Sequence, residues 1–315
     1  MRVGRLSGMG RGQRLPATPA AHAEDSSRAA EKLVAMAATR FLFVLGTGRC
    51  GSTLLAEILA AHPGIGWIST LPDPLGRIAR GMRLEPRPSE AYALLRKEVS
   101  PMLVDPFRDL TAADAAPWLE RRLQRFFGRR AEEQGRPVFM HKFTGWPRAR
   151  LLATVFPEAK FVHVFRDGRS VANSFVQVHF WQGYRGAPGW TFGDLSEDER
   201  RDWEAANFSW TYLAGLEWKR LMAAFEASRD EIGPQRWLDV RYEDLVARPL
   251  EETTAILKFT GLDRWTGLKR RLAALGVSEG RRDAYRDELR PEDVAQLECT
   301  LAPTLERWGY STPAR

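Results

Sequence analysis

A chain of 315 residues with 44% hydrophobic and 28% charged residues can bury a full core, enough for one α/β domain with or without a lid, and lies outside disordered or fibrous compositions. Its two cysteines, Cys50 and Cys299, exclude a disulfide framework and give no metal-binding spacing, a usage that suits a reducing cytoplasm. The net charge of +7 is concentrated at the start, where residues 1–40 hold seven Lys and Arg against three acids, and no basic stripe interleaved with aromatics follows, which argues against a nucleic-acid partner.

In chain order, residues 1–38, rich in Gly, Arg, Ala and Ser, read as a disordered tail or a misassigned start with Met36 as the true one. They hold no apolar stretch of signal-peptide length. Phe41–Leu45 is a continuous apolar run closed by glycine, which predicts a buried parallel strand and is far too short to span a bilayer. Beyond a Gly-rich turn, Leu54, Leu55, Ile58, Leu59 and Ala61 recur at helical spacing until His62-Pro63-Gly64 stops them. Residues 88–100 and 111–135 predict helices, the second opened by Thr111-x-x-Asp114 and carrying Trp118, Leu119, Leu123, Phe126 and Phe127 on one side.

Residues 137–143 and 160–165 read as strands around a short amphipathic helix at 148–156, and another helix begins at Arg169. Trp237–Val240 is a last strand, and Leu250–Phe259 a helix closed by Gly261. Strands alternating with helices predict an α/β fold, a three-layer αβα body with a parallel sheet over residues 39–315. Residues 179–218 depart from this regime, setting Trp181, Tyr184, Trp190, Trp203, Trp210, Tyr212 and Trp218 among Gly and Pro. They read as a second small core, as a lid or acceptor wall inserted in the body, or as both.

The turn after the first strand, Gly46-Thr47-Gly48-Arg49-Cys50-Gly51-Ser52-Thr53, fits the phosphate-loop pattern except that Ser52 stands in the lysine's place. A strand turning through three glycines into a helix aims backbone N–H groups and a helix dipole at one spot, which suits phosphate or sulfate. Arg49 adds a cation, and Ser52 and Thr53 add hydroxyls. The missing lysine weakens a kinase or NTPase reading, as does the strand at 160–165, which ends in Arg166 with Asp167 behind it where a magnesium carboxylate would be needed. Arg49 and Arg166 at two strand ends fit a ligand with two anionic groups and no metal.

These residues resemble the motifs of the sulfotransferases that use 3′-phosphoadenosine 5′-phosphosulfate (PAPS). Arg49-Cys50-Gly51-Ser52-Thr53 is similar to that family's 5′-phosphosulfate loop. Arg166 and Ser174, eight positions apart, stand where its 3′-phosphate motif has arginine and serine. Lys142 to Ser174 looks most like the tyrosylprotein and carbohydrate branches. The resemblance implies a P-loop NTPase-like core, PAPS as co-substrate and no metal. It further implies binding by Gly48, Arg49, Cys50, Gly51, Ser52, Thr53, Arg166, Ser174 and Tyr242, with Arg286 closing over the phosphates. Arg49 and Lys142 would stabilise the transferring group. The acceptor stays open among small molecule, lipid, glycan and protein, with no membrane span implied, and the alternatives are a non-catalytic nucleotide-binding module or a P-loop kinase or NTPase with an atypical loop.

The general base is where the chain departs from the family. Cytosolic members have Lys-Thr-His at the third strand's end, whereas this chain has Lys142-Phe143-Thr144. The glutamate that the tyrosylprotein branch has after its His-Pro falls on or near Thr70 here. Asp73 is the first carboxylate beyond it and the leading base candidate, with helix capping near Leu75 as its other reading. His141 and His179 are reserves, though His141 neighbours Lys142 on a strand and so points to the opposite face. Without that glutamate, a small or lipid-like acceptor against the Trp-rich segment fits better than a tyrosine peptide.

Overall fold

The computed structural model describes residues 39–69, 87–181, 183, 190–277 and 283–311. The tail assigned to residues 1–38, the base candidate Asp73 and Tyr184 lie outside them. Five strands form one sheet: β1 (Arg40–Gly46), β2 (Ile65–Trp67), β3 (Val138–Thr144), β4 (Lys160–Phe165) and β5 (Trp237–Arg241). Their order is β2-β3-β1-β4-β5, and every pairing is parallel. The predicted strands emerge with ends shifted by a residue or two, whereas β2, three residues containing a glycine, is too short to leave a period in the sequence.

The described helices are α1 (Ser52–Leu59), α2 (Tyr92–Glu98), α3 (Pro117–Gln134), α4 (Ala149–Val155), α5 (Gly168–Val176), α6 (Glu197–Ala205), α7 (Trp210–Ile232), α8 (Tyr242–Ala247), α9 (Pro249–Thr260), α10 (Leu268–Leu275), α11 (Tyr285–Glu288) and α12 (Pro291–Arg307). Two predicted helices shrink for local reasons. The first starts only at Tyr92. In the second, Thr111 and Asp114 do form a capping box, but on a 3-10 turn, and the α-helix begins at Pro117, which suits a first helical position. Among the described residues no helix is long and apolar enough to cross a membrane.

Both sheet faces are covered, which is why β1 reads as an unbroken apolar run: Leu42, Phe43, Val44 and Leu45 are all buried. On one face Phe43 packs edge-on to Phe127 of α3 and stacks on Phe161 of β4, its register partner. His163 and Phe165 continue that face against Phe225 of α7 and Trp308 of α12. The Trp-rich segment divides: Tyr212 and Trp218 of α7 are core, Trp181 and Trp190 are buried ahead of it, and Trp210 is exposed.

One buried cation ties the loops above the sheet together. Arg148, 2% exposed, donates from Nε to the Leu103 carbonyl at 2.7 Å and from its terminal nitrogens to the carbonyls of Val104, Thr144 and Trp146. Its own N–H donates to Asp109 Oδ1 at 2.7 Å. Replacing Arg148 with Met leaves four carbonyls without their donor and should lower stability by about 3–5 kcal/mol. Urea unfolding will measure it, and Arg148→Lys should recover only part, since an ammonium has three donors for four acceptors.

Candidate functional site

The parallel register brings the carboxyl ends of four strands to one edge. Gly46 of β1 lies opposite Thr144 of β3 and Val164 of β4, and β5 runs alongside β4 to Arg241. Such an edge is where open α/β sheets bind ligands. A cavity of about 870 Å³ opens there, walled by the glycine loop on one side and by Trp146, Phe175, Phe180, Trp181, Trp190 and Phe192 on the other.

The loop's course depends on its glycines. A Cβ on Gly46 would sit 2.9 Å from the Val164 carbonyl oxygen and 2.4 Å from Cys50 Sγ. Gly51 has φ +95°, and a Cβ there would lie 2.2 Å from the Tyr242 ring. Arg49 adopts φ 55°, unusual for a side chain with a Cβ, and so projects from the turn. Gly51 is the N-cap of α1 and has no side chain to cap it, so the first-turn N–H groups at Ser52 and Thr53 meet the cavity. The Cys50 side chain is fully buried in the core and does not line the cavity, which leaves its main chain to take part.

The two anion motifs, 125 residues apart, meet here. Arg49 Nε donates to Ser174 Oγ at 2.9 Å. Burial and the nearby Arg166 guanidinium both pull the Arg49 pKa down, the mark of two cations held close together. Arg166 lies over the Tyr242 ring at 4.7 Å, and the other side of that ring rests on Gly51. Arg169, by contrast, is committed inside the fold: it pairs with Asp167 at 2.7 Å and Glu298 at 2.9 Å. Asp167 thereby gives both its oxygens to Arg169.

Lys142 is buried at the cavity floor, 6% exposed, and donates to Thr53 Oγ1 at 2.8 Å. It also pairs with Glu90 Oε1 at 3.1 Å, and the same oxygen accepts from Thr144 Oγ1 at 3.0 Å. Glu90 has no motif to announce it. Ser69 and Pro88 form an antiparallel bridge, so the chain that leaves β2 comes back beside it and delivers Glu90 and Tyr92 to the end of β3. Tyr92 fixes that end: its hydroxyl accepts from the Thr144 N–H at 3.2 Å and lies 3.1 Å from Thr144 Oγ1.

The remaining expected residues lie elsewhere. Arg286 does not line this cavity; it lines a smaller one with Asp167, Arg169, Arg241 and Glu243. His141 packs against Phe127 and Phe143 on the opposite face from Lys142, and burial pulls its pKa down to about 3. His179 is exposed beside Phe180 and lines no part of the cavity. A further carboxyl that no sequence pattern marks is Glu217 of α7, 2% exposed, which accepts from Trp181 Nε1 at 2.7 Å.

Comparisons with known proteins point to one family. The family model described as "Sulfotransferase family" matches residues 42–267. Protein-tyrosine sulfotransferase 2 of Gallus gallus is 24% identical over 292 residues, 85% of this chain and 69% of that protein. The omega-hydroxy-beta-dihydromenaquinone-9 sulfotransferase Stf3 of Mycobacterium bovis is 24% identical over 164 residues, 52% of this chain and 38% of its own length. Among solved structures, sulfotransferase STF9 of Mycobacterium avium superposes with a TM-score of 0.58 at 16% identity, covering 93% of this chain and 82% of that one. The sulfotransferase domain of the Synechococcus PCC 7002 olefin synthase gives 0.50 at 20% identity, covering 87% and 96%. These structures share the parallel αβα fold, and since the family model spans well over half of the sequence, the chain belongs to the sulfotransferase family.

Proposed function

We propose that the protein transfers the sulfuryl group of PAPS to a hydroxyl acceptor by in-line displacement. The observation that carries this reading is the Arg49–Ser174 contact, which joins the two anion motifs at one end of a single cavity. The first-turn N–H groups and Arg49 would hold the 5′-phosphosulfate, and Arg166 with Ser174 the 3′-phosphate that ATP lacks. Tyr242, between Gly51 and Arg166, would fix the spacing of the two phosphates. A kinase or NTPase reading loses support because Asp167, the carboxylate that follows the end of β4, is tied to Arg169.

In the transfer, the acceptor oxygen attacks sulfur, the bond from sulfur to the bridging oxygen breaks, and that oxygen leaves as part of the 5′-phosphate. Lys142, held by Thr53 and Glu90, is placed to stabilise charge growing on the bridging and sulfuryl oxygens. Glu90 is the carboxylate beside it and takes the acceptor's proton, the role assigned from sequence to Asp73.

Two measurements test these assignments. Calorimetry should give 3′-phosphoadenosine 5′-phosphate (PAP) at least about 100-fold tighter than ATP, with Arg166→Ala bringing the two within about threefold. Equal affinity in the wild type would sink the nucleotide assignment. With PAPS and 4-ethylphenol as the test acceptor, Glu90→Gln should lower kcat by about 10²–10⁴ while PAP affinity stays within about threefold. Full turnover by Glu90→Gln together with its loss in Asp73→Asn would return the base to Asp73.

A further inference from the structure

Three carboxyl groups line the cavity among the described residues: Glu90, Asp105 and Glu217. Glu90 pairs with Lys142 at 3.1 Å, and Asp105 with Arg96 at 2.6 Å. Glu217 has no cationic partner among the described residues; its hydrogen bond comes from the neutral Trp181 indole. A carboxyl that is 2% exposed and lacks a counter-charge is costly to retain in a wall otherwise built of aromatic rings.

We infer that this wall is a subsite for an ammonium group, with Glu217 as the counter-ion and Trp181 and neighbouring aromatic faces around it, so that the acceptor is an apolar hydroxylated molecule carrying a basic nitrogen. The inference rests on the sulfuryl-transfer reading and deepens it by naming the acceptor's chemistry. Its geometry runs in one continuous contact chain from the phosphate loop. Gly48 abuts Phe175, where a Cβ would lie 3.1 Å from the ring; Phe175 lies 6.3 Å from Trp181; and Trp181 bonds Glu217. The acceptor's nitrogen end would thus rest on the wall while its hydroxyl reaches the loop.

Electrostatics favour this occupant. Desolvation raises the Glu217 pKa to about 8, opposed only by the Trp181 N–H. The charged groups that share the cavity are Arg49, Glu90, Asp105, Lys142, Arg148 and Arg166, and none of them contributes to that shift. Arg148 is bound to four carbonyls, and the other three cations stand with the glycine loop. The Trp181 end is therefore apolar with one uncompensated acid. An ammonium arriving there finds a counter-ion and aromatic faces, whereas a neutral alkyl group leaves the acid desolvated.

Tyramine and 4-ethylphenol share a phenol body and differ by an ammonium, so they probe the subsite directly. Calorimetry on the full-length chain first establishes PAP binding, and its failure would sink the underlying reading rather than this one. On the PAP-loaded protein at pH 7, tyramine should bind at least about tenfold tighter than 4-ethylphenol. Because ammonium binding drives Glu217 to ionise, tyramine should also release close to one proton, read by comparing phosphate and Tris buffers, while 4-ethylphenol releases none. Glu217→Gln should bind PAP as the wild type does and lose both the preference and the proton release. Tyramine binding no tighter than 4-ethylphenol, absence of binding by both included, overturns the inference, as does a preference that survives in Glu217→Gln.

Discussion

The constraint on which the site depends is the close parallel packing of β1 between β3 and β4. Gly46 is register partner to Thr144 on one side and Val164 on the other, so three strands stop at the same level. No side chain fits at Gly46, because the Val164 carbonyl and Cys50 sulfur already fill its Cβ position. The chain must therefore turn at once, and it turns into a helix whose first N–H groups look back over the strand ends. Arg166 stands two residues past Val164 and Lys142 two before Thr144, so register alone sets how far the cations are from the loop. A slip of one residue would turn Lys142 to the face where His141 now packs.

Above that edge the irregular segments have no sheet to order them, and buried polar contacts do so instead. Arg148 joins the carbonyls of Leu103 and Val104 to those of Thr144 and Trp146, so the cavity wall near Val104 and Pro106 is fixed to the end of β3. Tyr92 and Glu90 fix the same strand end through Thr144. Lys142 is thus held by groups that are themselves held, which is what a displacement governed by positioning needs.

How much of this the sequence displays follows from how local each feature is. Four strands are legible because a strand covered on both faces is a continuous apolar run, as in Phe41–Leu45. The anion motifs are legible because glycines, a cation and hydroxyls must follow one another within a few residues of a strand end, and the two arginines stand at such ends. Glu90, Arg148 and Glu217 are not legible, since each acquires its contacts only when distant segments meet: the Ser69–Pro88 bridge for Glu90, the Leu103–Val104 carbonyls for Arg148, and Trp181, 36 residues away, for Glu217. Cys50 shows the converse case. Its place in the motif suggests a ligand contact, yet the side chain opposite Gly46 has room only in the core. Composition alone does not divide the Trp-rich stretch, in which α7 supplies Tyr212 and Trp218 to the core while Trp181 and Trp190 line the cavity.

The two ends of the cavity obey opposite electrostatic rules, and this ordering bears on specificity. At the loop, burial and the Arg166 guanidinium make Arg49 costly to keep charged, and a dianionic ligand would lower that cost. At the Trp181 wall, a carboxyl with no counter-ion among the described residues is held against aromatic rings, and a cation would lower its cost. Between them Lys142 and Glu90 are already paired, so neither requires a ligand to complete it and both can answer to the reacting atoms. A molecule entering in the wrong sense would set an ammonium against two arginines and leave Glu217 uncompensated. On the proposed reading, the charge pattern of the cavity would favour one orientation of a cationic acceptor before any contact at the sulfur is made.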